Sequence, residues 1–138
     1  MITPDITTAI IDAEARALAT TGPHGVNVVP VSVVDITNAT IYLYDFFMGK
    51  SAENLCAHPS VALSAWSGLS GVQVKADAQY ICEGELFEQA TTVMLERFPE
   101  RTLRGVIQLT PTVVYDVSAN YEQAGQILPG TDTAPAVQ

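Results

Sequence analysis

The sequence predicts a mainly β protein, an antiparallel barrel of six strands with peripheral helices. Three observations carry this. Six segments rich in β-branched and aromatic residues recur along the 138 residues. Short turns of Gly, Pro, Asn and Ser separate them. Helical periodicity interrupts the strands after the third and before the last, and does not alternate with them. A doubly wound parallel sheet is therefore disfavoured, and an antiparallel barrel fits. The length suits one domain over residues 1–120, followed by an extended or mobile tail over 121–138.

The elements follow in order. "TPDITTAIIDAEA" places Thr3 as an N-cap and Pro4 at the first helical position, which predicts a helix over 4–13. "ARALATTG" (15–22) and "VNVVPVSVVDI" (26–36) read as a hairpin around the turn Gly22-Pro23-His24-Gly25. Pro30 has no N–H for a ladder bond, so its strand belongs at an edge or bulge. "TIYLYDFF" (40–47) is the third strand, with Tyr42 and Tyr44 on one face and Ile41 and Leu43 on the other. Most of its aromatics, Tyr42, Tyr44, Phe46 and Phe47, are expected in the core or a subunit interface, and a flat aromatic cofactor resting near them is the sharper alternative.

In "MGKSAENLCAHP", Ala52, Leu55 and Cys56 recur at helical spacing and Pro59 ends the helix. Ser51 is its expected N-cap, with Asn54 completing a weak capping box. Segments 60–67 and 71–84 are strands around "GLSG". Residues 85–100 form an amphipathic helix, and 105–118 a long last strand, bent or bulged at Pro111.

Composition excludes several functions. Fifteen Asp and Glu stand against six Lys and Arg, a net charge of −9. Nucleic acid and anionic membranes both call for clustered cations, which are not expected here. No apolar run reaches transmembrane length, and the N-terminus lacks the basic start of a signal peptide, so a cytoplasmic location is expected. Cys56 and Cys82 read as buried free thiols, and no metal-site spacing is present. No G-x-S-x-G elbow accompanies His24 or His58, so a hydrolase has no support.

Gly49-Lys50-Ser51 resembles the end of a nucleotide-triphosphate loop, but Tyr44 stands where that loop's first glycine belongs. A monophosphate remains a good match. The helix N-terminus offers free N–H groups and positive dipole, Lys50 a full charge and Ser51 a hydroxyl. The plainer alternative is a capped helix with a solvated lysine.

Three stretches, in this order, resemble the FMN-binding split-barrel family, which includes pyridoxamine 5'-phosphate oxidase. They are "ALATTGPHGVNVVPVSVV" (17–34), "MGKSAENLCAHPSVALS" (48–64) and "GVQVKADAQY" (71–80). The resemblance implies a six-stranded antiparallel split barrel with Greek-key-like order, and a homodimer holding FMN at its interface. It also implies Lys50 and Ser51 at the phosphate, and the flavin ring along Asn27, Val28, Val29, Pro30, Val31 and Ser32. Tyr44 and Asp45 would stand near the phosphate and ribityl chain. Gly71 and Gln73 would reach the flavin, in one arrangement from the partner subunit.

The implied role is an oxidoreductase or electron-transfer protein, reduced by a nicotinamide or a partner protein. The sequence departs from the family in carrying no arginine at the start of the second hairpin strand, Ala76 for a usual glycine, and no basic C-terminal segment. Vitamin B6 oxidation is not expected. The alternatives are a cofactor-free dimer acting as a binding or regulatory module, and a haem or deazaflavin binder.

Overall fold

A computed structural model describes residues 2–128. Three helices and seven strands follow in the order α1 (Pro4–Ile11), β1 (Ala15–Thr20), β2 (Asn27–Pro30), β3 (Val34–Thr37), β4 (Thr40–Asp45), α2 (Gly49–Ala57), β5 (Ser60–Ser67), β6 (Ser70–Ile81), α3 (Glu85–Arg97) and β7 (Gly105–Asp116). The strands form one antiparallel sheet in the order β2-β1-β5-β6-β7-β4-β3.

The expected strand over 26–36 is two strands, which raises the count from six to seven. β2 and β3 lie at opposite edges of the sheet. Only Val31, Ser32 and Val33 connect them. In a flat sheet those edges would be roughly 29 Å apart at ~4.8 Å per strand. Four peptide steps reach at most about 14 Å. The sheet must therefore curl until its edges meet, and the result is a split barrel. Pro30 ends an edge strand, where its missing N–H costs no ladder bond.

Arg16 clasps this seam. Its guanidinium donates to the carbonyls of Ile10 (2.8 Å) and Ile11 (3.1 Å) at the end of α1, and to Ser32 O (2.9 Å). A cation at a helix C-terminus also opposes the dipole there.

Alternation along the strands fills the inside of the curl. Leu18, Ile41, Leu43, Leu63, Val74, Ile107 and Leu109 are fully buried there with Leu55 of α2 and Ile10 of α1. Thr3 caps α1 through Ile6 N (3.2 Å), as the sequence indicates. A second, outer cluster lies beneath α3, where Met94 packs with Val33, Phe46, Leu103 and Val106. The bulge expected near Pro111 is present: Lys75 pairs Val113 and Ala76 pairs Pro111, leaving Thr112 as the extra residue. Residues 121–128 turn back so that Ile127 bridges Tyr115 and Leu128 N donates to Val114 O. The remainder of the expected tail, 129–138, lies outside the described residues.

The α2 helix begins differently from its sequence reading. Ser51 is inside the helix, and Met48 is the N-cap residue with no side-chain cap bond. The cap role passes to Asp45, whose Oδ1 accepts from Met48 N (2.7 Å). Asn54 does not reach back along its own helix. It is fully buried and grips the β1–β2 turn: its amide donates to Gly25 O (2.9 Å) and Thr20 Oγ1 (3.2 Å), and its oxygen accepts from His24 N (2.9 Å). Gly22 is required beside it, since a Cβ there would collide with Asn54. Cys56 and Cys82 are exposed, against expectation. Leu55 and Asn54 take the inward face of α2, which leaves Cys56 outside.

Two phenols complete the corner. Tyr80 donates to Asp45 Oδ2 and Tyr44 to Asp35 Oδ2, each at 2.7 Å. Desolvation first, then the bonded carboxylate, pushes both phenols well above their ordinary range.

Asn54→Ala should cost at least about 1–3 kcal/mol, because it strands buried partners. Urea denaturation reads the loss, and amide exchange at His24 and Gly25 should accelerate. The raised phenols give a second expectation. Above about pH 10 the unfolded chain loses phenolic protons that the folded chain keeps, so stability should fall with rising pH and be insensitive to these groups below that. Urea midpoints from about pH 8 to about pH 11 should show the decline, with a shallower slope in Tyr80→Phe.

Candidate functional site

The curl brings the seam against the β4–α2 corner, and a cleft of about 270 Å³ lies between them. One wall is the run Val29 to Val33. The other is Tyr44, Phe46, Phe47 and Met48, and Arg101 closes one side. Four expected cofactor residues (Val29, Pro30, Val31 and Ser32) therefore share a cleft with a fifth, Tyr44.

Backbone chemistry makes this wall useful. Ser32 and Val33 lie between two strands, and their N–H groups donate to no protein group among the described residues. Both residues line the cleft. The edge position of β2 exposes Val28 (60%) but leaves Val29 and Asn27 half-buried.

The first turn of α2 stands at the Asn27 end. Asn27 donates to Ser51 Oγ (2.9 Å), tying the start of β2 to the helix. Ser51 is fully buried, so its hydroxyl holds the Asn27 amide in place. Lys50 is exposed and has no carboxylate partner among the described residues. Ser51 N donates to Met48 O (2.8 Å), the N–H groups of Gly49 and Lys50 have no protein acceptor among the described residues, and no acidic residue occupies the first turn of α2. Asp45 is 2% exposed with both carboxylate oxygens engaged. It positions the corner, and neither oxygen faces a ligand unpaired.

Gly71 and Gln73 are not brought to this cleft. Gly71 pairs Trp66, which pairs Ala15 at the far end of β1 from the β2 turn. Gln73 lines a separate hollow with Tyr115 and Ile127. Within one protomer they stand apart from Lys50.

Phe46 and Phe47, which the sequence offered as neighbours of a flat cofactor, line the cleft, and so do Met48, Val33 and Arg101, which were not singled out. Arg101 is the consequential one. Its guanidinium lies 4.4 Å from the Phe98 ring centre and 5.2 Å from that of Phe46, and no carboxylate pairs it among the described residues. Two aromatic faces thus hold a cation at the rim of the cleft. The signal was present in "RFPERTLR", where three of the six cations of an acidic chain, Arg97, Arg101 and Arg104, crowd together.

Among the described residues no cluster of His, Cys, Asp and Glu could hold a metal, and no helix is long and apolar enough to cross a membrane.

Comparison with known proteins places this architecture. No curated protein matches the chain in sequence. Among solved structures, HupZ of Group A Streptococcus superposes with a TM-score of 0.76 at 17% identity, covering 91% of this chain and 99% of that one. An FMN-binding protein from Syntrophomonas wolfei gives 0.70 at 18% identity, covering 83% and 85%. HutZ, the haem storage protein of Vibrio cholerae, gives 0.60 at 20% identity, covering 78% and 88%. At these identities the likenesses show the fold. The sequence profile described as pyridoxamine 5'-phosphate oxidase matches residues 2–118. The chain belongs to that split-barrel family.

Proposed function

We propose that this protein is an FMN-binding flavoprotein, acting as an oxidoreductase or electron-transfer protein. One observation carries the reading: a cleft lined by Ser32 and Val33, whose N–H groups are unpaired, reaches Met48, the N-cap of α2, two residues before the unpaired Lys50. That is the donor set a planar ring with a phosphate tail requires.

In this reading Lys50 and the first N–H groups of α2 hold the phosphate. Ser51 fixes Asn27, which supplies a side-chain amide beside it. Val28 to Ser32 and Val33 present backbone to the ring, with Tyr44 and Phe46 on the opposite wall. Arg101 supplies the second cation that the start of β2 lacks. When bound, FMN would supply the hydride or single-electron chemistry. The chain's own part is to bind, orient and exclude water. A nicotinamide or a protein partner is the proposed electron donor.

The cleft volume supports a homodimer. About 270 Å³ falls below the ~300–1,000 Å³ usual for a ligand site, so a second protomer would complete it. The outer face of β1, β5 and β6 suits such a contact, being built from small residues, Ala19, Ala62 and Ser64, with Trp66 and Leu69 exposed beside them. Gly71 and Gln73, on this side of the sheet, would then approach the partner's cofactor.

A haem-binding reading draws on the likeness to HutZ. Here neither histidine lines the cleft, and His24 Nε2 is engaged with Glu53 at 3.2 Å.

The absorption spectrum of the purified protein, or of protein incubated with FMN and desalted, separates these. Retained flavin bands are expected. A Soret band, or a colourless protein after incubation, would sink the flavin reading. Lys50→Ala should weaken FMN binding by about 1–3 kcal/mol, measured by flavin fluorescence quenching. Size-exclusion chromatography with light scattering should give twice the chain mass.

A further inference from the structure

A hollow of about 470 Å³ lies on the outer side of the sheet, between α3 and the β3–β4 hairpin. It shares only Tyr44 with the cofactor cleft. Its volume is within the range of small-molecule sites. Leu86, Ala90 and Val93 of α3 face it at i, i+4 and i+7, opposite Ile36 and Val106. Leu86 stays 37% exposed and Val93 48%, so this face of α3 is not covered by the chain's own core.

Its polar lining is Asp35, Thr37, Tyr42, Tyr44 and Gln89, of which Asp35 is the one carboxylate. Asp35 lies on the edge strand β3 and lines the hollow. Its Oδ2 accepts from Tyr44 OH (2.7 Å) and, at 3.5 Å, from Arg97. Its Oδ1 has no protein donor among the described residues. The Tyr44 proton is already committed to Asp35. Gln89 is tied to Glu85 (3.1 Å), and Glu88 adds a further carboxylate to that end of α3. Arg97 is the one opposing charge nearby, and it is half-exposed and lies over Phe98.

The geometry points to a second ligand site, for a small apolar amine: the ring or chain lies against Leu86, Ala90 and Val93, and the ammonium meets Asp35. Charge selects the class. A carboxylate-bearing ligand would meet Asp35 and the α3 carboxylates in a chain of net charge −9. A neutral apolar ligand would bring no charge to the half-exposed Asp35 and gain nothing from it. An amine avoids both and can displace the long Arg97 contact.

The test uses 1-naphthylmethylamine as probe, with 1-naphthaleneacetate and 1-naphthalenemethanol as the anionic and neutral comparisons. Binding to the whole protein is followed by probe fluorescence polarisation at neutral pH. The amine is expected to bind saturably, at least about tenfold more tightly than either comparison, a margin of ~1.4 kcal/mol. Asp35→Asn should remove that preference, and Ala90→Trp, which fills the hollow from α3, should abolish binding. Added FMN should leave amine binding unchanged. Equal affinity for amine and alcohol, insensitivity to both substitutions, or displacement by FMN would each overturn the proposal. If Ala90→Trp loses its folded circular dichroism, the isosteric Asp35→Asn decides alone.

Discussion

Between Pro30 and Val34 the chain has three residues in which to pass from one edge of a seven-stranded sheet to the other. That short connection cannot span a flat sheet, so the sheet closes on itself. Closure decides which side chains are inside. It also leaves Ser32 and Val33 without ladder partners. The same three residues thus force the barrel and supply the backbone donors of the cleft. Arg16 secures the crossing by joining the end of α1 to Ser32, so the first helix, the first strand and the seam hold together.

A second set of ties fixes the cleft's other wall. Asp45 anchors the chain as it leaves β4, through Met48 N and Tyr80 OH. Asn54 anchors α2 to the β1–β2 turn through three hydrogen bonds. Both side chains are buried and satisfied, which is what makes a buried polar group stabilising and specific. Together they hold the helix N-terminus and Lys50 beside Asn27. An acidic chain can accept an anion there because the positive potential is local. No acidic residue lies in the first turn of α2, the Asp45 carboxylate just before it is engaged by Met48 N and Tyr80 OH, and Lys50 and Arg101 have no ion-pair partners among the described residues.

Tyr44 divides two cavities of opposite character. On one side the cleft offers donors and cations. On the other the hollow beneath α3 offers apolar surface and the Asp35 carboxylate. The phenol's proton is spent on Asp35, which orients the ring that forms the shared wall. A single half-buried tyrosine is therefore structural to both.

The sequence by itself determined the element types and the α1 cap at Thr3, and narrowed Pro30 to an edge or bulge and Pro111 to a bend or bulge. These are local: they depend on which residues lack an N–H, fill a cap or alternate along a strand. It also offered Lys50 and the α2 N-terminus as a candidate anion site and, through three ordered motifs, pointed to the family. Tertiary structure decided the rest. The division of residues 26–36 into two edge strands depends on sheet closure, which no local pattern encodes. Ser51 and Asn54 read as a capping pair by spacing, yet the approach of the hairpin turn gave their side chains better partners. Cys56 and Cys82 read as buried by type, but their exposure depends on which face of α2 and which end of β6 meets the core. Arg101 entered the cleft because Phe46 and Phe98, 52 positions apart in sequence, converge on it. Such contacts form between distant segments, and only the packed chain brings those segments together.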